Sequence, residues 1–567
     1  MYSLNDPYIV LIINFCYHFS SFKVSSSFII IVLKFFFLIY YLVSVFCSVH
    51  STTHLLFLKM RLILYLLLFS CILSYCYAIR KFWRGRYSGG ALGQPSKVYN
   101  YKKHLLSSAN EEKWFTQQLD HFDPTNLSKT WQQRYYVNDE YYQEGGPVFL
   151  MIGGEGEATA KWMHEGAWIK YAKKFNALCF QLEHRFYGKS HPTDDLSTEN
   201  LIYLNSEQAL ADLANFITAM NEKYQLNSSN TVWIAFGGSY PGSLAAWLRE
   251  KYGHLVHGAI SSSGPLLAKI DFNEYFEVVT NSLATYSQDC VTAVQRSFVQ
   301  VETLLKHMIG QRSINQKFKL CDPVEQSITN SLDIANLFEN LAGNFAGVVQ
   351  YNKDNSPHSK VTIDDLCNIM VNTTIGAPVS RLAEVNNMML NIGNETCLDF
   401  KYDKMIDELK NVSWDAESSE GGRQWTYQTC TEFGFYQTSE DPNTTFGDRF
   451  PVDFFVKQCT DIFGPKFNNV SLSKGASRTN IMYGALNPQT TNVLYVHGSI
   501  DPWHALGLTK TIDKNMPTIY IEGTAHCANM YEPSENDLPQ LKQARIQIET
   551  YIENLLKTES NWERNIV

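Results

Sequence analysis

The sequence lacks the short motifs that mark metal-binding and nucleotide-binding proteins. It contains no Cys-x-x-Cys pair, which argues against a structural zinc site. The glycine-rich stretch at residues 153–157 is not followed by the Lys-Ser/Thr pair of a P-loop, and no GxGxxG pattern accompanies it. We therefore expect neither a metal nor a cofactor.

An excess of basic residues is also missing. The chain of 567 residues has 47 Lys and Arg against 56 Asp and Glu, a net charge of −9. Proteins that bind nucleic acids usually carry a basic patch, so no nucleic-acid partner is expected. Internal repeats and long low-complexity tracts are absent, which excludes solenoids and propellers. The hydrophobic content of 45% is typical of a globular protein with a large core.

The N-terminal 78 residues have the composition of targeting sequence. Residues 60–78 show a basic start, an apolar run and small residues at the end, which is the pattern of a secretory signal peptide. Residues 1–59 in front of it include an apolar stretch, 28–46, that is long enough to span a membrane. Either this stretch is an anchor or translation starts at Met60. We favour the second interpretation, with 1–59 as a doubtful extension and no stable membrane association.

The cysteines and the glycosylation motifs agree with secretion. Eight cysteines follow the signal peptide, and six of them lie between Cys290 and Cys459, as in a disulfide-stapled region of an oxidising compartment. We predict a secreted or lysosomal glycoprotein. Its seven Asn-x-Ser/Thr acceptor sites are Asn126, Asn227, Asn372, Asn394, Asn411, Asn443 and Asn469.

The pattern of apolar residues divides the rest of the chain into four parts. Residues 79–110 are predicted to be a linker or a removable pro-segment. In 111–267 strands alternate with helices, which indicates a largely parallel sheet covered by helices on both faces. Long helical segments and four cysteines fill 268–421, so we predict an inserted cap over the cleft. Sheet character returns in 422–567, and the predicted class is α/β.

The stretch from Thr231 to Gly253 is typical of a nucleophile elbow. An apolar strand, 232–236, meets the turn GGSYPG, and a helix-forming run follows directly. The small residues suit a strained turn that projects Ser239 clear of the sheet. The backbone N–H of Tyr240 is the expected oxyanion donor, and a second donor is expected from Gly154 in the 153–157 loop.

Asp501 and His526 supply the partners that a nucleophilic serine requires. A serine hydroxyl needs an imidazole to take its proton and a carboxylate to orient that imidazole. Both residues directly follow predicted strands, and the order Ser239, Asp501, His526 is that of α/β-hydrolases. His504 and His497 are less well placed. His184, within a Glu-His-Arg cluster, is interpreted as part of a buried brace.

Several of these motifs together resemble one family of serine peptidases. GGSYPGSLAAW, EHRFYGKS, SEQALADLA, WTYQTCTE, the Asp501-Pro502-Trp503 turn and Ala525-His526 are similar to the family of lysosomal prolyl carboxypeptidase, dipeptidyl peptidase II and thymus-specific serine protease. SLAAW after the serine and His526-Cys527-Ala528 are most similar to the thymus-specific member. The likeness extends from about Trp114 to the C-terminal helix.

The resemblance implies an α/β-hydrolase fold with an inserted helical, disulfide-bonded cap. It implies the disulfides Cys290–Cys367, Cys321–Cys397 and Cys430–Cys459, with Cys179 and Cys527 unpaired. Family members of known specificity cleave next to proline, and Trp503 falls where they place an aromatic wall of the proline pocket. Met530 and Ser243 are further predicted pocket residues, and Glu155 is one candidate anchor for a substrate terminus. Pro241 and Ser243 depart from the family pattern.

Three functions are compatible with these features. The first is a serine peptidase that acts on short peptides through an acyl-enzyme, as an exopeptidase with a preference for bonds next to proline. The second is a lipase or esterase on the same fold, although an HGGG-type oxyanion motif is missing. The third is an inactive extracellular binding module. Peptide substrates are the expected partners, and a homodimer is left open.

Overall fold

The computed structural model describes residues 82–83, 86–87, 92, 95, 107–125, 128–226, 231–353, 360–440 and 445–564. All of them belong to one compact unit, Ala78–Val567. The predicted extension and signal peptide lie outside these ranges, as do Asn126, Asn227 and Asn443. Within the ranges, no helix combines the length and the apolar character needed to cross a membrane.

The described residues include twelve strands. In chain order they are β1 (Phe82–Trp83), β2 (Arg86–Tyr87), β3 (Lys113–Gln118), β4 (Thr130–Asn138), β5 (Val148–Ile152), β6 (Leu178–Leu182), β7 (Trp233–Gly238), β8 (Gly258–Ser262), β9 (Lys269–Asp271), β10 (Gly434–Tyr436), β11 (Val493–Gly498) and β12 (Thr518–Ile521). Eight of them form a central mixed sheet in the order β12-β11-β8-β7-β5-β6-β4-β3. The short pairs β1–β2 and β9–β10 stand apart from this sheet.

The six strands from β12 to β6 in this order are parallel, and β4 and β3 join the far edge antiparallel. Every residue of β5, β6, β7, β8 and β11 is buried. Such strands are continuous apolar runs because helices cover both faces of a parallel sheet. The chain leaves β5 towards β6 on one side and returns to β7 on the other, so the strand order reverses at β5. Clefts form at the carboxyl ends of strands at such a point.

Fourteen α-helices accompany these strands in the part of the chain that the structure describes. They are α1 (Ala167–Phe175), α2 (Ser206–Lys223), α3 (Tyr240–Lys251), α4 (Glu274–Ala284), α5 (Gln288–Leu305), α6 (Met308–Phe318), α7 (Ser331–Gln350), α8 (Ile363–Val371), α9 (Pro378–Gly393), α10 (Tyr402–Lys410), α11 (Gly422–Gln428), α12 (Val452–Phe463), α13 (Asn469–Tyr483) and α14 (Pro539–Arg564). A five-residue π-helix, Thr429–Phe433, extends α11.

The sheet separates two apolar cores. Alternate residues of β5 point to opposite sides, with Leu150 in one core and Met151 in the other. Helices α2 and α3 cover the first face, and their apolar residues form one cluster with those of the inserted helices. Helices α1 and α14 cover the second face. The α/β class with an inserted helical region is therefore confirmed.

The inserted helices run from Glu274 to Tyr483, and we call residues 274–483 the cap. Three disulfides join its segments, Cys290–Cys367, Cys321–Cys397 and Cys430–Cys459, which is the pairing that the family resemblance implies. Cys179 and Cys527 are free and buried. Three helices, α11 to α13, follow residue 421, the predicted end of the insertion, and the central sheet resumes only at Val493.

The start of α2 shows how the cap is attached to the sheet domain. The N-cap of α2 is Asn205, whose side chain accepts a hydrogen bond from the Gln208 backbone N–H at 2.9 Å. Ser206 begins the helix, and its hydroxyl donates to the half-buried Glu432 carboxylate at 2.6 Å. A carboxylate at this helix N-terminus is favourably placed. The cap is thereby joined to α2 through the Glu432 carboxylate.

Candidate active site

Ser239 occupies a strained position between β7 and α3. Its backbone has φ 65° and ψ −135°, a conformation that residues with a side chain rarely adopt. Its N–H donates to the Ser262 carbonyl at 2.9 Å, which ties the turn to the end of β8. The residue is 5% exposed. Helix α3 begins at the next residue, so the strand, turn and helix form the predicted elbow.

The glycines before Ser239 are required by close packing. A Cβ atom on Gly237 would lie 2.0 Å from the Pro241 carbonyl oxygen, and one on Gly238 would lie 2.4 Å from the Met530 sulfur. Real Cβ contacts are not this short. The backbone of β7 therefore approaches α3 closely enough to place the serine directly at the sheet edge.

Asp501 and His526 form a fully buried pair. His526 Nδ1 lies 2.8 Å from Asp501 Oδ1, and the same oxygen accepts the Trp503 backbone N–H at 3.0 Å. Donation from Nδ1 leaves His526 Nε2 to accept a proton. Within the described ranges, Nε2 has no hydrogen-bond partner.

The end of β8 brings this pair to the elbow. Ser262 accepts the Ser239 N–H through its carbonyl and an Asn529 amide N–H, at 2.8 Å, through its hydroxyl. Its neighbour Ser263 accepts the Cys527 backbone N–H at 2.9 Å through its hydroxyl. Two adjacent serines thus hold the elbow and the histidine turn together at one edge of the sheet.

The electrostatics of the pair favour an ion pair. Burial alone raises the pKa of Asp501, but the neighbouring His526 lowers it below its ordinary value. Burial lowers the pKa of His526, but the Asp501 carboxylate and, after it, the neighbouring Cys527 raise it, so that the pKa lies well above 6.5. An imidazole held in this way is a stronger base than a free histidine.

The two predicted oxyanion donors both adjoin Pro241. Tyr240 is the first residue of α3, where backbone N–H groups have no intrahelical partner. A Cβ atom on Gly154 would lie 2.3 Å from Pro241 Cγ, so the loop after β5 packs directly on the elbow. Pro241 has no N–H and takes a first-turn position that a proline tolerates.

Trp503 contributes an aromatic surface beside His526. The two ring centroids are 6.4 Å apart. Three rings from the cap and the segment before it surround Trp503 at centroid distances of 5.4 to 6.0 Å, namely Phe272, Tyr275 and Phe435. Trp503 is 2% exposed. This aromatic cluster joins the segment before the cap, the first cap helix and strand β10.

The other predicted pocket residues do not pack with Trp503 and make separate contacts. Met530 packs in the core on the second face of the sheet, and its carbonyl accepts the Ala167 N–H at 2.9 Å. The hydroxyl of Ser243 donates to the Pro265 carbonyl at 2.7 Å, where α3 packs on the segment after β8. Glu155 is buried, 3% exposed, in the loop after β5. These separate contacts explain why Met530 and Ser243 do not join the cluster around Trp503.

The Glu-His-Arg cluster after β6 is a buried brace, as interpreted. Arg185 donates two hydrogen bonds of 2.6 Å to the Asp212 carboxylate, and Glu183 forms an ion pair with Arg134. His184 is buried, and this burial lowers its pKa to about 4. These ion pairs are satisfied within the fold, as expected of a structural brace.

Comparison with known proteins assigns the family. Residues 117–548 match the family described as Serine carboxypeptidase S28. The chain belongs to the serine carboxypeptidase S28 family. This S28 chain is 35% identical to thymus-specific serine protease of Mus musculus, over 80% of this chain and 89% of that protein. It is 30% identical to lysosomal Pro-X carboxypeptidase of Bos taurus, over 73% of this chain and 81% of that protein.

A solved structure of proline iminopeptidase from Mycobacterium smegmatis aligns with 79% of this chain and 99% of its own, at 11% identity and a TM-score of 0.33. The family assignment makes the protein a serine-type peptidase. It favours the first predicted function over the lipase or esterase alternative.

Two buried cap residues contact the site of this S28 chain and were not predicted from the sequence. Gln350, the last residue of α7, accepts a hydrogen bond from the Trp503 indole N–H at 2.9 Å. Gln428, the last residue of α11, lies 3.1 Å from the Tyr240 hydroxyl. Gln428 is inside the motif WTYQTCTE, which was a usable signal. Gln350 ends an apolar helix without any motif, so nothing local distinguished it.

Proposed function

We propose that this S28 peptidase cleaves peptide bonds with Ser239 as nucleophile, His526 as general base and Asp501 as the group that orients it. The buried 2.8 Å contact between His526 and Asp501 carries this proposal. It is supported by the strained turn at Ser239 and by the two serines that join the turn to the histidine loop.

The chemistry follows from these positions. Ser239 Oγ attacks the scissile carbonyl carbon while His526 Nε2 takes its proton, and the carbonyl electrons move onto the oxygen. Backbone N–H groups of Tyr240 and Gly154 stabilise that oxyanion. When the intermediate collapses, the C–N bond breaks and His526 returns the proton to the leaving amine. Water then hydrolyses the acyl-enzyme by the same steps.

Covalent labelling tests the nucleophile. A fluorophosphonate probe should label the wild-type protein, and Ser239→Ala should lose both labelling and peptide hydrolysis, the latter on the order of 10⁵-fold. Ser477→Ala, at an exposed position of α13, is the matched control and should react like wild type. Equal labelling of Ser239→Ala and wild type would reject the proposed role of Ser239.

We further propose that the enzyme is an exopeptidase with a preference for bonds next to proline. The cluster around Trp503 places apolar rings beside His526, and a pyrrolidine ring would prefer such apolar surroundings. A relative named for Pro-X carboxypeptidase activity supports this proposal.

A peptide library with free and blocked termini, assayed at acidic and neutral pH, tests this specificity. Cleavage should need one free terminus and should favour Xaa-Pro sequences. Equal cleavage of doubly blocked peptides would contradict exopeptidase action, and cleavage indifferent to proline would contradict the pocket.

We also propose that the protein is secreted or lysosomal. The four glycosylation acceptors in the described ranges, Asn372, Asn394, Asn411 and Asn469, are all exposed. Three disulfides suit an oxidising compartment. Protein expressed in a secretory host should lose mass on enzymatic deglycosylation, and the quadruple Asn→Gln variant, which keeps the other three predicted acceptors, should show a smaller shift. An unchanged mass would argue against secretory passage.

A further inference from the structure

Two buried glutamines of the cap contact the loops on which catalysis depends. Gln350 and Gln428 are each 0% exposed and each ends a cap helix. Gln350 contacts the loops of Asp501 and His526, and Gln428 contacts the oxyanion residue Tyr240. The cap is therefore hydrogen-bonded to both halves of the proposed machinery.

Gln350 holds the loops of the acid and the base. Its backbone carbonyl accepts the His526 N–H at 2.9 Å. Its side-chain oxygen accepts the Trp503 indole N–H at 2.9 Å and the Tyr275 hydroxyl at 2.7 Å. The backbone N–H of Trp503 in turn donates to Asp501. One cap residue thus contacts the His526 loop directly and the Asp501 turn through Trp503.

Gln428 belongs to a chain of hydrogen bonds with one consistent direction. His184 Nδ1 lies 2.7 Å from the Arg185 carbonyl, so Nδ1 donates and Nε2 accepts the Tyr240 hydroxyl at 3.1 Å. The Tyr240 oxygen accepts the Gln428 amide N–H.

At the far end of this chain, the amide oxygen of Gln428 accepts the hydroxyl of Tyr187 at 2.7 Å. Each donor and acceptor of the chain is matched only when the cap is seated.

A buried side-chain amide fixes the positions of its hydrogen-bond partners, because leaving it unpaired costs free energy. When a buried donor or acceptor loses its partner, the equilibrium between the conformation that needs this bond and the alternatives shifts by roughly fivefold to a hundredfold. Trp503, Tyr275 and Tyr240 are all buried, so solvent cannot replace the glutamines as partners. Loss of either glutamine side chain should therefore shift the loop that it contacts. For Gln350 this is the Trp503 turn, because the backbone carbonyl that accepts the His526 N–H is kept.

We propose that Gln350 and Gln428 are positioning residues through which the seated cap aligns His526 and the Tyr240 oxyanion donor for hydrolysis. The cap is then a part of the catalytic machinery and more than a steric gate. This inference rests on the proposed function of Ser239 and His526.

The test replaces each glutamine with methionine, which has a similar shape but makes no strong hydrogen bond. Gln350→Met and Gln428→Met should each lower kcat and the rate constant of fluorophosphonate labelling by roughly tenfold, with KM changed much less. Rates are normalised to the folded fraction. Gln424→Met is the matched control, because Gln424 is equally buried in α11 but donates to the Phe186 and Ser419 carbonyls instead. Its normalised rate should stay within about twofold of wild type.

Double-mutant cycles separate positioning from general loss of stability. Gln350→Met should cost less in a Trp503→Phe background, where the indole N–H is absent, and Gln428→Met should cost less in a Tyr240→Phe background. If a methionine variant does not fold, Tyr275→Phe and Tyr187→Phe remove one bond from each glutamine and should lower the same rates about threefold.

The outcomes separate this inference from the proposed function. Slower labelling of both glutamine variants than of Gln424→Met, together with coupling in the cycles, supports the inference. Labelling of these variants at the Gln424→Met rate, while Ser239→Ala is unlabelled, overturns it and leaves the proposed function standing. Labelling of Ser239→Ala itself rejects the proposed function.

Discussion

At the scale of single residues, the contact between His526 and Asp501 is the basis of the proposed chemistry. Both side chains are fully buried, and Asp501 fixes which imidazole nitrogen carries the proton. A carboxylate in this position stabilises the imidazolium that forms during attack. The strained backbone at Ser239 belongs to the same arrangement, since it presents the proposed nucleophile at the sheet edge.

Asp501→Asn tests the orienting role. An asparagine amide can donate as well as accept a hydrogen bond, so it no longer keeps the proton on His526 Nδ1. We therefore expect kcat to fall on the order of 10⁴-fold while the protein stays folded. Steady-state kinetics on a peptide substrate measures this. Asp448→Asn, at an exposed side chain, should behave like wild type. A loss below about tenfold for Asp501→Asn would count against the assignment.

The pH dependence follows from the raised pKa of His526. Protonated imidazole cannot accept the serine proton, so kcat/KM should fall as pH decreases through that pKa, and the acid limb should lie above pH 6.5. A raised pKa also stabilises the fold below pH 6.5, and this contribution is lost as pH rises through the folded value. A pH–rate profile tests whether the pKa of His526 is raised, and an acid limb below pH 6.5 would contradict a raised pKa.

At the scale of elements, the elbow depends on how closely β7 and α3 approach. A side chain at Gly237 would meet backbone atoms of Pro241, which cannot yield as the end of a flexible side chain can. The helix α7 offers the opposite case. A Cβ atom on Gly343, within α7, would meet nothing within 4 Å apart from the backbone of its own helix and its chain neighbours.

This contrast makes a matched pair of glycine substitutions informative. Gly237→Ala should destabilise the protein by about 1–3 kcal/mol and abolish labelling, because the elbow must shift. Gly343→Ala should stabilise it by up to ~1 kcal/mol, since alanine is the better helix former. Thermal unfolding and fluorophosphonate labelling measure both effects. Equal tolerance of the two substitutions would show that the elbow is less tightly packed than the structure indicates.

At the scale of the whole molecule, the order of strands and helices was largely predictable because it depends on local apolar periodicity. The elbow strand was predicted at 232–236 and observed at Trp233–Gly238. The strand before His526, Thr518–Ile521, coincides with an equally clear apolar run in the sequence. The order of Ser239, Asp501 and His526 along the chain sufficed to propose their roles, since parallel strands bring their carboxyl ends to one edge.

The contacts that depend on long-range packing could not be predicted. Met530 follows His526 closely in sequence, yet the turn at Cys527, with φ 56°, is followed by packing on the second face of the sheet. Gln350 is separated from Trp503 by 153 positions in the sequence, and only the seated cap brings its amide to the indole. Hydrophobic periodicity carries no information about such pairings.

The central claim, that Ser239 is the nucleophile of this peptidase, is tested most directly by peptide mass spectrometry of the fluorophosphonate-labelled protein. We predict a single adduct, on Ser239. An adduct on another serine, with Ser239 unmodified, would contradict the claim.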